Sequence, residues 1–136
     1  MATIYEHLSY KILEKHLDTF GHVNNATYLQ IYEEARWEFM TRHDYGLDYV
    51  ISSQIGPVIL DLHLTFKREL KNRDGFTIIT EYQGQKNKLV SLFYQKMISP
   101  DNKTISTLEL TVGLMDLKSR KLIAPTPEWQ RVLNAR

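Results

Sequence analysis

Val58 to Lys67 alternates residue by residue: Val58, Leu60, Leu62, Leu64 and Phe66 share one side, and Ile59, Asp61, His63, Thr65 and Lys67 the other. A period of two with a continuous apolar row predicts a half-buried strand. A strand cannot stand alone, so the chain must supply a sheet. Phe76–Tyr82, Leu89–Ile98 and Ile105–Leu117, rich in β-branched and aromatic residues, are predicted to provide it. Gly84-Gln85-Lys86-Asn87 and Pro100-Asp101-Asn102-Lys103 separate them with turn chemistry. Such short links suit antiparallel neighbours, because parallel pairs need a long crossover. Ile4–Leu13 is predicted as a further strand, with Ile4, Leu8, Tyr10 and Ile12 on one side.

One segment breaks this pattern. From Thr27 to Arg42, Tyr28, Tyr32, Ala35 and Phe39 recur at helical spacing with Ile31 beside them, while Glu33, Glu34, Glu38 and Arg42 are polar. Sixteen helical residues span about 24 Å. Asn24, Asn25 and Thr27 all suit the N-cap, and Gln30 stands three after Thr27 as in a capping box. Glu128–Ala135 is predicted as a short terminal helix starting near Thr126. The order is strand, long helix, then four strands in meander. That predicts an α+β layer arrangement: one long helix on a curled antiparallel sheet of about five strands. The 136 residues make one domain, 1–136. Leu89–Ile98 is apolar on both sides, and an uncovered apolar face invites a second subunit, so a homodimer or homotetramer is expected.

Composition removes several classes of function. Lys plus Arg number 17 against 16 Asp plus Glu, a balance that gives no footprint for nucleic acid. Without cysteine there is no thiolate catalysis, disulfide or Cys-based zinc site. The histidines lack metal-ligand spacing and no Gly-rich phosphate loop occurs, so neither metal nor cofactor is expected. No apolar run reaches the roughly 18 residues of a membrane span, and the first residues lack signal-peptide form. A cytoplasmic protein without membrane contact is expected.

Chemistry concentrates in Asp18-Thr19-Phe20-Gly21-His22-Val23-Asn24-Asn25, which runs straight into the helix. Glycine permits a tight turn, and a helix N-terminus presents unpaired N–H groups to an oxygen gaining negative charge. A carboxylate beside such a site can activate water or attack an acyl carbon directly. Asp18 can equally serve as a turn cap, and His22 as a hydrogen-bonded structural group.

The run Asp18-x-x-Gly21-His22-Val23-Asn24-Asn25-x-x-Tyr28, followed by Tyr32-Glu33-Glu34-Ala35-Arg36, resembles the hotdog-fold acyl-CoA thioesterases of the 4-hydroxybenzoyl-CoA thioesterase type. Val112–Lys121 and Ile123-Ala124-Pro125 are similar to that family's last strand and turn. The resemblance implies hydrolysis of an acyl-CoA thioester, with Asp18 as nucleophile or general base. It implies that His22, Asn24 and Asn25 shape the active-site turn, and that backbone N–H groups around Thr27 and Tyr28 form the oxyanion hole. Glu33 and Glu34 are minor candidates for the acid, and Glu33 with Arg36 is read as a local ion pair. Plant acyl-ACP thioesterases carry Asn two residues after the Asp; Phe20 stands there and favours the bacterial CoA type. Lys86 and Lys88 are candidates for the CoA phosphates, with Lys67 and Arg68 behind them, and Tyr28, Tyr32, Leu60 and Phe66 for the acyl pocket. An acyl-CoA or acyl-ACP hydratase-dehydratase, and a non-catalytic acyl-CoA-binding hotdog protein, are the alternatives.

Overall fold

The computed structural model describes residues 3–135. The chain runs β1 (Thr3–Lys11), a 3-10 turn (Glu14–His16), α1 (Asn25–Arg42), α2 (Leu47–Ser53), β2 (Ile55–Phe66), β3 (Gly75–Gln85), β4 (Val90–Ile98), β5 (Thr104–Asp116), β6 (Lys121–Ile123) and α3 (Pro127–Leu133). The α+β expectation holds, with one long helix against an antiparallel sheet. The sheet has six strands, one more than expected, because Lys121–Ile123 pairs with the end of β5 where β4 has run out. Helix α2 was not anticipated: seven residues leave too little periodicity to read. The facing assigned to Ile4 and Leu8 lies outside the described residues.

The meander is corrected at one end. Strand order is β1-β3-β4-β5-β2, so β3, β4 and β5 follow one another by hairpins while β2 lies beyond β5, at an edge. The link 67–74 between β2 and β3 is eight residues, too long for a tight turn. It returns across the sheet end rather than folding β2 onto β3.

Alternation on β4 is strict: Ser91, Phe93, Gln95 and Met97 are buried, while their neighbours are half-buried. On β2 the alternation fails. The register with β5 shifts between Ile59 and Asp61, leaving Leu60 as the extra residue of a bulge. As a result Ile59, Leu60, Leu62 and Phe66 are all exposed, whereas Leu64 packs on the core. Exposed apolar surface therefore runs along an edge strand, while the outer residues of β4 are half-buried and Leu89 just before it is exposed.

Helix α1 buries Tyr28, Ile31, Tyr32, Ala35, Phe39 and Met40 against the sheet. Burial of each large apolar side chain is worth roughly 1.5–3 kcal/mol. Polar bonds fix the helix over β4 and β5. The Tyr32 hydroxyl donates to Ser106 Oγ at 2.9 Å, and Gln95 Nε2 donates to the Tyr32 carbonyl at 3.1 Å. Tyr45, fully buried, packs edge-on against Trp129 of α3 and donates its hydroxyl to the Ile55 carbonyl at 3.0 Å. Thr126 caps α3 through Oγ1, as its position implied.

Candidate active site

The chain enters α1 through a pinched loop. Leu17 and Val23 bridge in antiparallel fashion, the Asp18 N–H donates to the His22 carbonyl at 2.9 Å, and the Gly21 N–H donates to the Asp18 carbonyl at 3.1 Å. Gly21 turns the chain at φ +78°, which a side chain would resist. Within this loop the Asp18 carboxylate accepts two backbone N–H groups on the same oxygen: Oδ1 takes Phe20 N at 2.9 Å and His22 N at 3.0 Å. The bond from His22 lowers the carboxyl pKa most, the Phe20 bond adds to it, and the nearby His22 charge acts the same way against a smaller desolvation effect. Asp18 is thus ionised, exposed and fixed by one oxygen. Its Oδ2 has no hydrogen bond among the described residues.

The capping residue is Asn24. Its side chain accepts the Ala26 N–H at 2.8 Å, and Asn25 Oδ1 approaches the same N–H at 3.0 Å. This corrects the expected oxyanion donors. The N–H groups of Thr27 and Tyr28 both donate to the Asn24 carbonyl, at 2.9 and 3.2 Å, so neither is vacant. Ala26 is satisfied by the caps. The Asn25 N–H, at the first helical position, has no acceptor among the described residues.

Other expected residues scatter. The His22 ring lies exposed, 3.7 Å from Glu69 Oε1, so its fixed contribution to the loop is through its backbone. Tyr28 is buried with its ring edge-on to Phe66, centroids 5.0 Å apart; burial raises its phenol pKa, a backbone bond at Leu70 opposing. Tyr32 is fully buried in the core, and its hydroxyl donates to Ser106 Oγ. Lys86 and Lys88 stand on the exposed β3–β4 hairpin. Gly75, where β3 starts, adjoins the end of β1 beside the loop; the hairpin is at the other end of β3, roughly 30 Å away at 3.3 Å per residue. Within one chain they cannot serve a thioester at Asp18. Lys67 and Arg68, the latter paired with Asp101 at 3.2 Å, line an open cleft at the start of α1 with Val23, Asn25, Tyr28, Phe66 and Glu69.

The expected Glu33–Arg36 ion pair is absent. Arg36 turns inward and donates from Nη1 to Gln95 Oε1 at 2.8 Å; Gln95 Nε2 in turn donates to Thr80 Oγ1 at 3.0 Å. Burial pushes the guanidinium pKa down to about 10, with the Glu33 charge opposing. This cluster borders a cavity of about 90 Å3, apolar on its other walls, lined among others by Trp37, Phe93, Val112 and Trp129. Glu33 and Ile59, both exposed, also line it, so it opens beside the β2 edge. A signal for Arg36 was present in the sequence: Tyr28, Tyr32, Arg36 and Met40 form one i, i+4 row, and a cation there faces the core. Among the described residues no cluster of acids and histidines could hold a metal ion, and no helix is long and apolar enough to cross a membrane.

Comparison with known proteins places this architecture. The thioesterase-like superfamily profile matches residues 13–133. The long-chain acyl-CoA thioesterase FadM of Escherichia coli K12 is 29% identical over 114 residues, 84% of this chain and 86% of that protein. A chloroplastic acyl-acyl carrier protein thioesterase of Arabidopsis thaliana is 27% identical over 124 residues, 90% of this chain and 65% of its own length. Among solved structures, YbaW, a probable thioesterase from Escherichia coli, superposes with a TM-score of 0.80 at 28% identity, covering 93% of this chain and 95% of that one.

Proposed function

The chain belongs to the thioesterase-like superfamily and is a hotdog-fold thioesterase, and from that premise we propose that it hydrolyses acyl-CoA at the Asp18 loop. One observation carries the reading. An ionised carboxylate with one oxygen pinned and the other open stands at the head of a helix whose first N–H, on Asn25, is unspent. With the thioester carbonyl at the Asn25 N–H, Asp18 Oδ2 either takes a proton from the attacking water or attacks the acyl carbon itself. The carbonyl oxygen becomes an oxyanion, held by the Asn25 N–H and the helix dipole. On collapse the C–S bond breaks. In the general-base route CoA leaves as its thiol with the proton Asp18 returns, and the free acid follows. In the nucleophilic route CoA leaves as thiolate, protonated by solvent, and water then hydrolyses the Asp18–acyl anhydride to the free acid. Lys67 and Arg68 flank the approach and supply positive charge for the phosphates.

The site is completed by a second copy. An unpaired edge bearing Ile59, Leu60, Leu62 and Phe66 calls for a cover, and an isologous pairing of β2 with β2 is antiparallel. The Phe66 end of one copy, beside its Asp18 loop, then meets the Pro57–Ile59 end of the other, where the cavity opens. The cavity of one copy takes the acyl group whose thioester lies at Asp18 of the other. The second copy's Gly84–Leu89 hairpin comes to the same end of the assembly, which gives Lys86 and Lys88 a route to CoA. Light scattering tests the assembly: twice or four times 16.0 kDa is expected, and a monomer at micromolar concentration defeats the shared site. A panel of acyl-CoA thioesters assayed with a thiol reagent, run beside a hydration assay, tests the activity. Thiol release is expected; hydration alone, or neither, overturns it.

A further inference from the structure

The cavity beside β2 contains one feature that a pocket for a plain hydrocarbon chain does not need. Its walls are Trp37, Phe39, Met40, Pro57, Phe93, Val112 and Trp129, yet Arg36 and Thr80 also line it. Arg36 has five N–H donors and no acceptor beyond charge. Its one hydrogen bond among the described residues goes to Gln95 Oε1, a neutral amide, and it makes no ion pair. Glu33, the nearest acid on its own helix, stays exposed at the mouth. Gln95 cannot turn away to oblige another group, because its own N–H atoms are committed to Thr80 and the Tyr32 carbonyl. The guanidinium is therefore held at a fixed angle, with donors left over, on the wall of an apolar cavity.

Filling such a cavity with a bare alkyl chain strips the remaining water from a cation and returns no acceptor. That is costly, because a buried donor without a partner loses its hydration outright. An oxygen on the acyl group reverses the sign, since hydrogen bonds to charged groups are among the stronger ones. We propose that Arg36, held by Gln95, makes this enzyme selective for acyl groups that carry a hydrogen-bond-accepting oxygen: a hydroxyl, a keto group or a terminal carboxylate. The proposal rests on the cavity being the acyl pocket of the thioesterase reading. It adds a specificity residue to that site and leaves the hydrolytic chemistry unchanged.

The test is kcat/KM on acyl-CoA thioesters matched in chain length. One series is unsubstituted, one carries a hydroxyl or keto oxygen stepped along the chain, and one ends in a carboxylate. The parental enzyme should favour at least one oxygenated position by about tenfold or more over the plain chain, the range expected when a site built for a polar group meets its absence. Arg36→Met should lower kcat/KM for that substrate at least tenfold and raise it for the plain chain. Arg36→Lys should keep a preference for the carboxylate series and lose that for the neutral oxygen, which identifies which group is read. A residue that only braced the fold would lower all substrates together, and that result overturns the proposal. So does a parental enzyme indifferent to oxygen. If neither variant folds, as judged by thermal unfolding, the parental preference alone decides. Absence of hydrolysis on every thioester is a different failure, since it removes the thioesterase site itself.

Discussion

Two polar groups, one in the loop that leads into α1 and one on the helix itself, are ordered in opposite ways. Asp18, just before α1, is exposed and owes its geometry to backbone N–H groups of its own loop. Arg36, in the middle of α1, is largely withdrawn from water and owes its geometry to side chains from β4 and β3. Backbone donors persist through almost any substitution, so the carboxylate is robust and its local surroundings are free to vary. Side-chain partners do not persist. Gln95 reaches Arg36 with Thr80 behind it only because the β3–β4 hairpin pairs those two residues in register, so the cavity wall is easily retuned by a single change.

Asp18→Asn should break the first half of this contrast most sharply. The amide oxygen can still take the two loop N–H groups, but it can neither accept a proton at neutral pH nor attack. General-base assistance is worth about 10²–10⁴ in rate, or roughly 3–5.5 kcal/mol. A kcat loss of at least about a hundredfold is expected, with KM and thermal stability little changed. Near-parental turnover by a folded Asp18→Asn protein would instead move attention to Glu33 and Glu34.

Gln95→Leu attacks the second half. It leaves Arg36 and Thr80 without their partner in the interior and takes the second of two bonds from the Tyr32 carbonyl, and buried unsatisfied groups cost about 1–3 kcal/mol apiece. Urea unfolding should show a loss of about 3 kcal/mol, with the Asp18 loop untouched. A stability close to parental would mean that water enters the cluster and that Arg36 is less enclosed than its surroundings indicate.

Asn24→Ala stands between the two, because the cap serves the loop and the helix together. Loss of a cap costs about 1 kcal/mol. It should also leave the Ala26 N–H to Asn25 Oδ1 alone, so a small fall in stability with a change in kcat is expected, whereas an unchanged kcat would separate the cap from the oxyanion site. The gentlest probe is pH. With its folded pKa below the ordinary 3.8, Asp18 stays ionised as pH falls through the usual carboxylate range. The stability it contributes is present above its unfolded pKa and lost only as pH drops through the lowered folded value. The acid limb of kcat should lie below that of an ordinary aspartate in rapid assays. A limb above pH 4 would point to another titrating group. His22→Ala should cost less in rate than Asp18→Asn, since its ring lies exposed beside Glu69 and its backbone does the positioning.

Local chemistry was legible in the sequence. The period of α1, the turn residues of the two hairpins and the Asp18–Asn25 loop all act over a few residues, and each appears where it was read. What depends on distant pairing was not. Nothing in Ile55–Phe66 says that it lies beside β5 and not β3. The vacant N–H was misplaced because three neighbouring residues could cap α1. Choosing Asn24 over Thr27 moves the vacant N–H back to Asn25. Arg36 was matched to Glu33, an acid about one helical turn before it, when the decisive partner sits 59 residues further on.

The bulge at Leu60 also bears on how this molecule avoids its neighbours. A flat apolar edge strand will accept almost any extended peptide and is a seed for aggregation. An edge whose pleat skips a beat admits continuous pairing only from a strand that skips with it. Another copy of the same chain carries that irregularity; an unfolded segment passing by does not. The fault in the alternation thus works as a guard, making the edge a poor template for any regular strand that drifts by.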